Sequence, residues 1–469
     1  MRPSSIPWRR GAWVVAVAAL APALSANAPA GARPNSPAGA RPTPAAVARV
    51  TGDGPLRPKP TRAVSADEFL GSLGVNTHVD QGYDAAKYVE PLIYTGIRNI
   101  RDGERNLKSY DMLHEATGVR VDLLGGADLD GLLAAGRALA ASDALLSLEG
   151  PNEPNNFPVV YQGQGGGGIC PTCTWVPVAR FQRDLYGAVK RDPLLRRYPV
   201  FAVSEAGAET DNVGLQFLTI PKGADAKFPA GTSFADYANT HNYVSGTAKT
   251  HEDNQAWQAA DPVLSSHWDG LYGEYGLTWN KHFRGYDGEA LEGLPRVTSE
   301  TGWDSASDPG GERVQGMVLV NTYLAQFKRG WKYTFIYELV DGQGGTGCQG
   351  LFRPDFTAKP AATFIHNLTA VLSRDSLDGE PDSLSYAVPN QPDTVHDLLL
   401  QKGPGTFDLV VWDERVNATD DVSVRFGARH RSISVYDVTQ GSKPVRSLSD
   451  ADAVPLTLSD HAVILEITD

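Results

Sequence analysis

The chain is poor in cysteine, in methionine and in positive charge. Its 469 residues include three cysteines and three methionines, and 42 Lys and Arg residues stand against 55 Asp and Glu residues, for a net charge of −13. Nucleic acids and anionic membrane surfaces bind clustered Lys and Arg, so this balance argues against both as partners. Beyond its N-terminal region the chain also lacks an apolar run long enough to span a bilayer, so we expect no membrane span.

The scarcity of cysteine also limits metal binding. Cys170 and Cys173 form a Cys-Pro-Thr-Cys pair in a glycine-rich loop, and Cys348 lies in another loop. Two thiols without a second Cys or His pair fall short of the four ligands of a structural zinc site, so we predict no metal. An exported protein favours a disulfide instead. The pairing among the three thiols stays open.

The N-terminal residues have the composition of an export signal followed by a spacer. Arg9-Arg10 precedes the apolar run Ala12–Leu24, and Ala26-Asn27-Ala28 is a small-residue cleavage site, which together predict a signal peptide over 1–28. A twin-arginine signal is the lesser option. Eight prolines and few large apolar residues then predict a disordered or extended linker over 29–64. We therefore expect a secreted or periplasmic protein.

Between residues 65 and 374, short runs of strand-forming residues alternate with helical stretches in which apolar residues recur every three or four positions. This alternation implies a parallel sheet with crossover helices. Eight such units predict a (β/α)8 TIM barrel, an α/β fold whose chemistry lies at the carboxyl ends of the strands. The predicted strands are Gly74–Val79, Ile97–Asp102, Val119–Leu124, Ala144–Leu148, Val200–Ser204, Tyr237–Tyr243, Arg296–Ser299 and Tyr333–Tyr337.

The pattern changes in residues 375–469. Val422, Val424 and Phe426 alternate with polar residues, and further apolar strands are separated by turn residues. This pattern predicts a small C-terminal antiparallel β-sandwich. Nothing in it clusters aromatic rings or carboxylates, so we expect it to pack against the barrel, with carbohydrate binding as the minor alternative.

Two glutamates follow strands of the predicted barrel. Asn152-Glu153-Pro154 comes after the fourth strand, and Ser299-Glu300-Thr301 ends the seventh. Barrel strands deliver such residues to one face of the fold, so the two carboxylates are expected to meet there. A pair of carboxylates at one site suits cleavage of a glycosidic bond, with one group as acid and the other as nucleophile.

These motifs resemble the signature of the clan A retaining glycoside hydrolases, over the barrel only, and the layout is nearest to families 39, 30 and 79. The resemblance implies that Glu153 is the acid/base and Glu300 the nucleophile. It also implies that Arg101 and Tyr243 support the nucleophile and that Asn152 binds the 2-hydroxyl of the sugar. Families 39, 30 and 79 hydrolyse xylosides, glucosides or uronides, and the sequence does not choose between them.

Other residues near the predicted strand ends are candidates for sugar contact or support. His241 lies beside Tyr243, and His78 lies near the end of the first predicted strand. Trp303 follows Glu300 and is favoured over Trp175 and Trp279 for stacking on a sugar ring. Many clan members carry a tryptophan at the end of strand eight, where this chain departs from the pattern with Tyr337. Carboxylates that compete for the catalytic roles are Glu205 and Glu274.

The predicted function is that of a secreted retaining glycosidase acting on O-glycosidic bonds of a poly- or oligosaccharide, without metal or cofactor. Two alternatives stay open: a transglycosylase with the same site, and an inactive barrel that binds carbohydrate. The sugar, its linkage, endo or exo action, the export route and the oligomeric state stay open as well.

Overall fold

A computed structural model describes residues 57–154, 156–168, 174–204, 231–241, 243–244, 251–260, 294–306, 311–343, 347–373, 377 and 379–468. The predicted signal peptide, Cys170, Cys173, Trp279 and the competing carboxylates Glu205 and Glu274 lie outside the described residues.

The described chain begins with two short strands, β1 (Lys59–Arg62) and β2 (Val64–Ser65). β1 pairs antiparallel with Ser383–Ala387, and Val64 of β2 pairs with Leu400. Both partners lie in the C-terminal part of the chain. The linker predicted over 29–64 is therefore wrong for its last residues, because backbone pairing with a distant strand holds them in a sheet.

Eight parallel strands form the predicted barrel, in the spatial order β10 (Ala238–His241), β11 (Arg296–Thr301), β12 (Trp331–Ile336), β3 (Leu73–Asn76), β4 (Asn99–Gly103), β5 (Arg120–Leu124), β6 (Leu145–Glu149) and β9 (Val200–Phe201). A parallel bridge between Phe201 and Tyr237 joins β9 to β10 and closes the ring. All eight predicted strands are present, although some are shorter, as where Val200–Ser204 contains only a two-residue strand. Two further strands of this region, β7 (Val159–Tyr161) and β8 (Gln164–Gly166), form a hairpin.

The described helices pack apolar side chains against the barrel, and side chains cap the start of two of them, Ser65 before the first helix and Asp128 before the fourth. Asp128, for example, accepts a hydrogen bond from the backbone N–H of Gly131 at 3.1 Å, an N-cap that starts the fourth helix. None of the described helices is long and apolar enough to cross a bilayer. They are α1 (Ala66–Gly71), α2 (Val89–Thr95), α3 (Leu107–Thr117), α4 (Leu129–Ala141), α5 (Val176–Arg191), α6 (Gln255–Ala259), α7 (Gly311–Lys328) and α8 (Pro360–Leu372), with 3₁₀ turns at Val79–Gln81 and Ala85–Tyr88.

The C-terminal region is antiparallel, as predicted, and encloses an apolar core of its own. Its strands are β13 (Ser383–Ala387), β14 (Val395–Gly403), β15 (Thr406–Asp413), β16 (Asp420–Asp437), β17 (Arg446–Leu458) and β18 (Ala462–Thr468). One half of the long strand β16 pairs with β13 and the other half with β18. The pairing of β16 with β17 shifts register between Arg425 and His430, and such a bulge bends a strand. Gly427 lies in this bulge, where a Cβ atom would meet Cβ of Ser385 at 2.7 Å.

The barrel and the β domain share the main apolar core of the protein. Leu400, Val410, Trp412 and Ile464 of the β domain belong to the same buried cluster as the apolar residues of α7 and α8. Residues Arg57–Asp469 form one compact unit. Burial of this shared apolar surface stabilises both parts together.

Candidate active site

Glu300 is held by a cation and by a hydroxyl group at the carboxyl end of β11. Arg101 donates from Nη1 to Glu300 Oε1 at 2.7 Å, and the Tyr243 hydroxyl donates to Glu300 Oε2 at 2.8 Å. Burial, and then the charge of Glu300, raise the pKa of Tyr243 well above its usual range. Tyr243 therefore stays a neutral hydrogen-bond donor to Glu300.

The guanidinium of Arg101 connects four side chains. It donates from Nε and Nη2 to the two oxygens of Glu149, both at 2.9 Å. It also reaches Asn152 Oδ1 at 2.9 Å from Nη2 and Asn76 Oδ1 at 3.1 Å from Nη1. Burial acts to lower the pKa of Arg101, but the charges of Glu149 and Glu300 outweigh it and raise that pKa. Arg101 is thus a fixed cation that orients Asn152 and Glu300 together.

Glu149, the last residue of β6, is not among the site residues predicted from the sequence. It is fully buried. Burial acts to raise the pKa of Glu149, but the charge and hydrogen bonds of Arg101 lower it overall. Burial, and then the charge of Glu149, raise the pKa of its neighbour Asp122 well above the usual range. The signal that could have found Glu149 is Arg101 itself, because a buried guanidinium has five N–H donors and one carboxylate cannot satisfy them.

Glu153 has quite different neighbours. Its Oε1 lies 2.6 Å from His241 Nδ1, and its Oε2 accepts from Asn156 Nδ2 at 3.2 Å. The Glu153 backbone has φ 41°, in the left-handed region that few residues other than glycine adopt. Its backbone N–H donates to Ser204 Oγ at 3.4 Å. The turn after β6 thus directs the Glu153 side chain across the barrel mouth to the end of β10.

The two predicted catalytic carboxylates meet. One oxygen of Glu153, one oxygen of Glu300 and one ring nitrogen of His241 lie within 4.8 Å of one another. Glu153 is 9% exposed and Glu300 8%, so both are buried but not sealed. Two carboxylates and an imidazole can also hold a metal ion. The Arg101 guanidinium, 2.7 Å from Glu300, argues against a cation there, because it already neutralises that carboxylate and would repel a metal ion.

His78 and Tyr337 lie beside this pair. The Tyr337 hydroxyl and His78 Nε2 are 3.2 Å apart, and the centroids of the Tyr337 and Tyr243 rings are 6.4 Å apart. Burial, and then the charge of Arg101, lower the pKa of His78 to about 4. His78 is therefore neutral at pH 7 and serves as a hydrogen-bonding partner of Tyr337 rather than as a cation.

The sugar-stacking role predicted for Trp303 is wrong for this structure. Trp303 is 1% exposed and belongs to the main apolar core, so neither ring face is open to a ligand. Gln315 of α7 donates to its backbone oxygen at 2.9 Å. The preceding Gly302 lets the chain turn inward, because a Cβ atom there would lie 2.6 Å from the backbone oxygen of Tyr337. Trp175 is fully buried as well.

Comparisons with known proteins agree with this fold. No protein-family profile matches the chain, and a comparison with curated proteins gives no match. A family 39 glycoside hydrolase from the gut symbiont Bacteroides cellulosilyticus WH2 is similar in structure, with a TM-score of 0.54 and 15% sequence identity over 87% of this chain and 82% of that chain.

A GH51 alpha-L-arabinofuranosidase from Thermotoga petrophila RKU-1 is also similar, with a TM-score of 0.54 and 9% identity over 88% of this chain and 98% of that one. These likenesses concern the fold alone. They confirm the predicted (β/α)8 barrel with a C-terminal β domain.

Proposed function

We propose that this protein is a retaining glycoside hydrolase that cleaves O-glycosidic bonds of a poly- or oligosaccharide by double displacement. One observation carries the proposal: oxygens of Glu153 and Glu300 lie within 4.8 Å of each other, and the two carboxylates have unequal surroundings. Carboxyl groups about 5 to 5.5 Å apart suit a covalent glycosyl intermediate, whereas inversion needs about 6.5 to 9.5 Å to admit water between them.

In the first step Glu300 is the nucleophile. One of its oxygens bonds to the anomeric carbon as the glycosidic C–O bond breaks, and Glu153 gives its proton to the departing oxygen. Arg101 and Tyr243 hold the Glu300 carboxylate aligned for this attack. Because Asn152 accepts from Arg101 through Oδ1, its NH₂ group is the part of the amide that donates to a sugar hydroxyl.

In the second step water replaces the enzyme at the anomeric carbon. Glu153, now a carboxylate, takes a proton from the water as its oxygen bonds to that carbon, and the bond to Glu300 breaks. Two displacements at one carbon restore its original configuration. The step regenerates the acid form of Glu153 and the ionised form of Glu300.

Exposed aromatic rings beside the pair support a substrate larger than one sugar. Phe157 is 48% exposed, and its backbone N–H donates to the Glu153 backbone oxygen at 2.8 Å. Tyr83 is 39% exposed, and its ring centroid is 6.4 Å from that of His78. Such rings can stack on sugar faces, and these two lie beside different catalytic-site residues. Secretion or export to the periplasm is part of the proposal and is supported by the N-terminal sequence pattern.

The test is a panel of polysaccharides and aryl glycosides, with reducing ends measured, products sized and the first product followed by proton NMR. We expect release of reducing ends and a first product of unchanged anomeric configuration. Products longer than the substrate would identify a transglycosylase. Binding without turnover would identify an inactive barrel, and an inverted first product would refute the double displacement.

A further inference from the structure

The hydrogen bonds of Asn239, two residues before His241 on β10, fix the orientation of its amide. The backbone N–H of Ser299 donates to Asn239 Oδ1 at 3.1 Å. The Asn239 NH₂ group donates to the backbone oxygen of Ala202 at 3.1 Å and to Ser299 Oγ at 2.9 Å. A backbone N–H only donates and a backbone oxygen only accepts, so the flipped amide is excluded. The Ser299 hydroxyl oxygen therefore accepts a hydrogen bond from Asn239.

The single hydrogen of the Ser299 hydroxyl has two candidate acceptors. Glu149 Oε1 lies at 3.1 Å and His241 Nε2 at 3.0 Å. Glu149 is held ionised by Arg101, which binds both of its oxygens, so it can only accept. Ser299 consequently donates to Glu149. Its oxygen then presents a lone pair to His241 Nε2, and that nitrogen must carry a hydrogen.

A neutral imidazole with its hydrogen on Nε2 has a lone pair on Nδ1. His241 Nδ1 lies 2.6 Å from Glu153 Oε1, and two bare acceptors at that distance would repel each other. We infer that His241 is a positioning residue, locked with Nε2 protonated, that holds one proton between Nδ1 and Glu153. The inference rests on the proposed acid/base role of Glu153, because this proton is the one the leaving group receives.

Other polar groups face the same pair and set its charge. Glu300 Oε2 lies 3.5 Å from His241 Nδ1, and its negative charge favours keeping the proton on the pair. Arg101 and Tyr243 partly offset that charge by binding Glu300. When the proton has left, the Glu153 carboxylate faces a lone pair of His241. That repulsion favours recovery of a proton from water, so one contact serves both steps.

Replacement of the Ser299 hydroxyl tests whether Ser299 fixes the tautomer of His241. In Ser299→Ala, Nε2 loses its acceptor, the hydrogen can move to Nδ1, and Glu153 then accepts from His241 and loses its proton more readily. We expect the basic limb of the pH profile of kcat/KM on a natural glycoside to move about one pH unit lower. A shift of this size corresponds to the free energy of roughly one buried hydrogen bond. Ser299→Thr keeps the hydroxyl and should restore the wild-type limb.

Ser72→Ala is the matched control, since it removes another buried hydroxyl, one that donates to the backbone oxygen of Phe69 at 2.6 Å far from the site. It should leave the pH profile unchanged. An unchanged basic limb of the pH profile in Ser299→Ala would overturn the inference that Ser299 keeps His241 Nε2 protonated.

Nitrogen NMR of ¹⁵N-histidine-labelled wild-type protein tests the tautomer directly, with the His241 signals assigned by their loss in His241→Asn. We expect a protonated Nε2 and an Nδ1 that shares its proton with Glu153. A neutral ring with its hydrogen on Nδ1 and a bare Nε2 would overturn the inference. The measurement needs no turnover, so it stands or falls separately from the proposed glycosidase activity.

Discussion

The barrel and the β domain each bury carboxylates near one cation. The two regions differ in which of these carboxylates the cation contacts. In the β domain Lys402 Nζ is 3.4 Å from Asp408, contacts Glu466 and donates to the Val371 backbone oxygen at 3.2 Å. One lysine thus serves both carboxylates. In the barrel Arg101 binds Glu300, whereas among the described residues no Lys or Arg pairs with Glu153. Buried charge alone is therefore no sign of catalysis; the proposed division into nucleophile and acid rests on Arg101 pairing with Glu300 and not with Glu153.

The largest effect is expected from Glu300→Ala. Without the nucleophile no glycosyl intermediate forms, so kcat/KM should fall on the order of 10⁵-fold on every substrate, including aryl glycosides. Steady-state kinetics on one natural and one aryl glycoside measure it. Glu466→Ala is the matched control, because it removes a carboxylate from a buried cation in the β domain and should spare turnover by the folded protein. Substantial aryl glycosidase activity in Glu300→Ala would contradict the assignment.

Glu153→Ala should have a smaller effect that depends on the substrate. A general acid contributes about 10²- to 10⁴-fold, so kcat/KM on natural glycosides should fall by that factor. A phenolate that leaves unaided needs no proton, so the first step on aryl glycosides should survive as a burst of released phenol. Rapid-mixing kinetics measure the burst. Wild-type turnover of natural substrate by this variant would mean that another carboxyl group is the acid.

Lys402→Met should affect stability and not chemistry. Removing the cation leaves Asp408 and Glu466 uncompensated, which costs about 3 to 5 kcal/mol when a buried pair is broken. Denaturant unfolding measures the loss, and kcat per folded molecule should match the wild type. A change in pH profile without a change in stability would place this cluster in the catalytic machinery after all.

His78 in the barrel and His461 in the β domain make the stability of the fold depend on pH in opposite directions. The lowered pKa of His78, about 4, means that stability is lost as pH falls from about 6.5 to about 4, because the unfolded chain takes up the proton first. For His461, burial acts to lower the pKa, but hydrogen bonds and charges of Asp437 and Asp460 raise it to about 9. That contribution is complete below pH 6.5 and is lost as pH rises through about 9.

Each histidine contributes up to about 3 kcal/mol by this linkage. The free energy of unfolding should be measured from pH 4 to 10. We expect it to depend less on pH on the acid side in His78→Asn, and less on the alkaline side in His461→Asn. Flattening on the same side in both variants would contradict the assignment.

The smallest expected effect is that of chelation. No metal has a role in the proposed reaction, and Arg101 already neutralises Glu300. Exhaustive dialysis against EDTA should leave turnover unchanged. Loss of activity that only a divalent ion restores would make Glu153, His241 and Glu300 a metal site.

The local pattern predicted the barrel because each strand and helix carries its own periodicity, and the family resemblance placed Arg101 beside Glu300. The supporting network could not be predicted in the same way. The Ser299 to Glu149 hydrogen bond joins residues 150 positions apart, so it depends on the register of separate strands. β1 was missed for the same reason, since Lys59 pairs with Tyr386. Trp303 was misassigned because its burial depends on how α7 packs over the turn.

Azide rescue of the two alanine variants on one aryl glycoside tests the central claim, the unequal roles of Glu153 and Glu300, most directly. In Glu153→Ala, azide should attack the glycosyl enzyme and give a glycosyl azide of unchanged anomeric configuration. In Glu300→Ala, azide should occupy the space of the missing nucleophile and attack the substrate itself, giving the inverted product. Proton NMR of the two azides distinguishes these outcomes. The opposite stereochemistry in the pair, or the same product from both variants, would contradict the account.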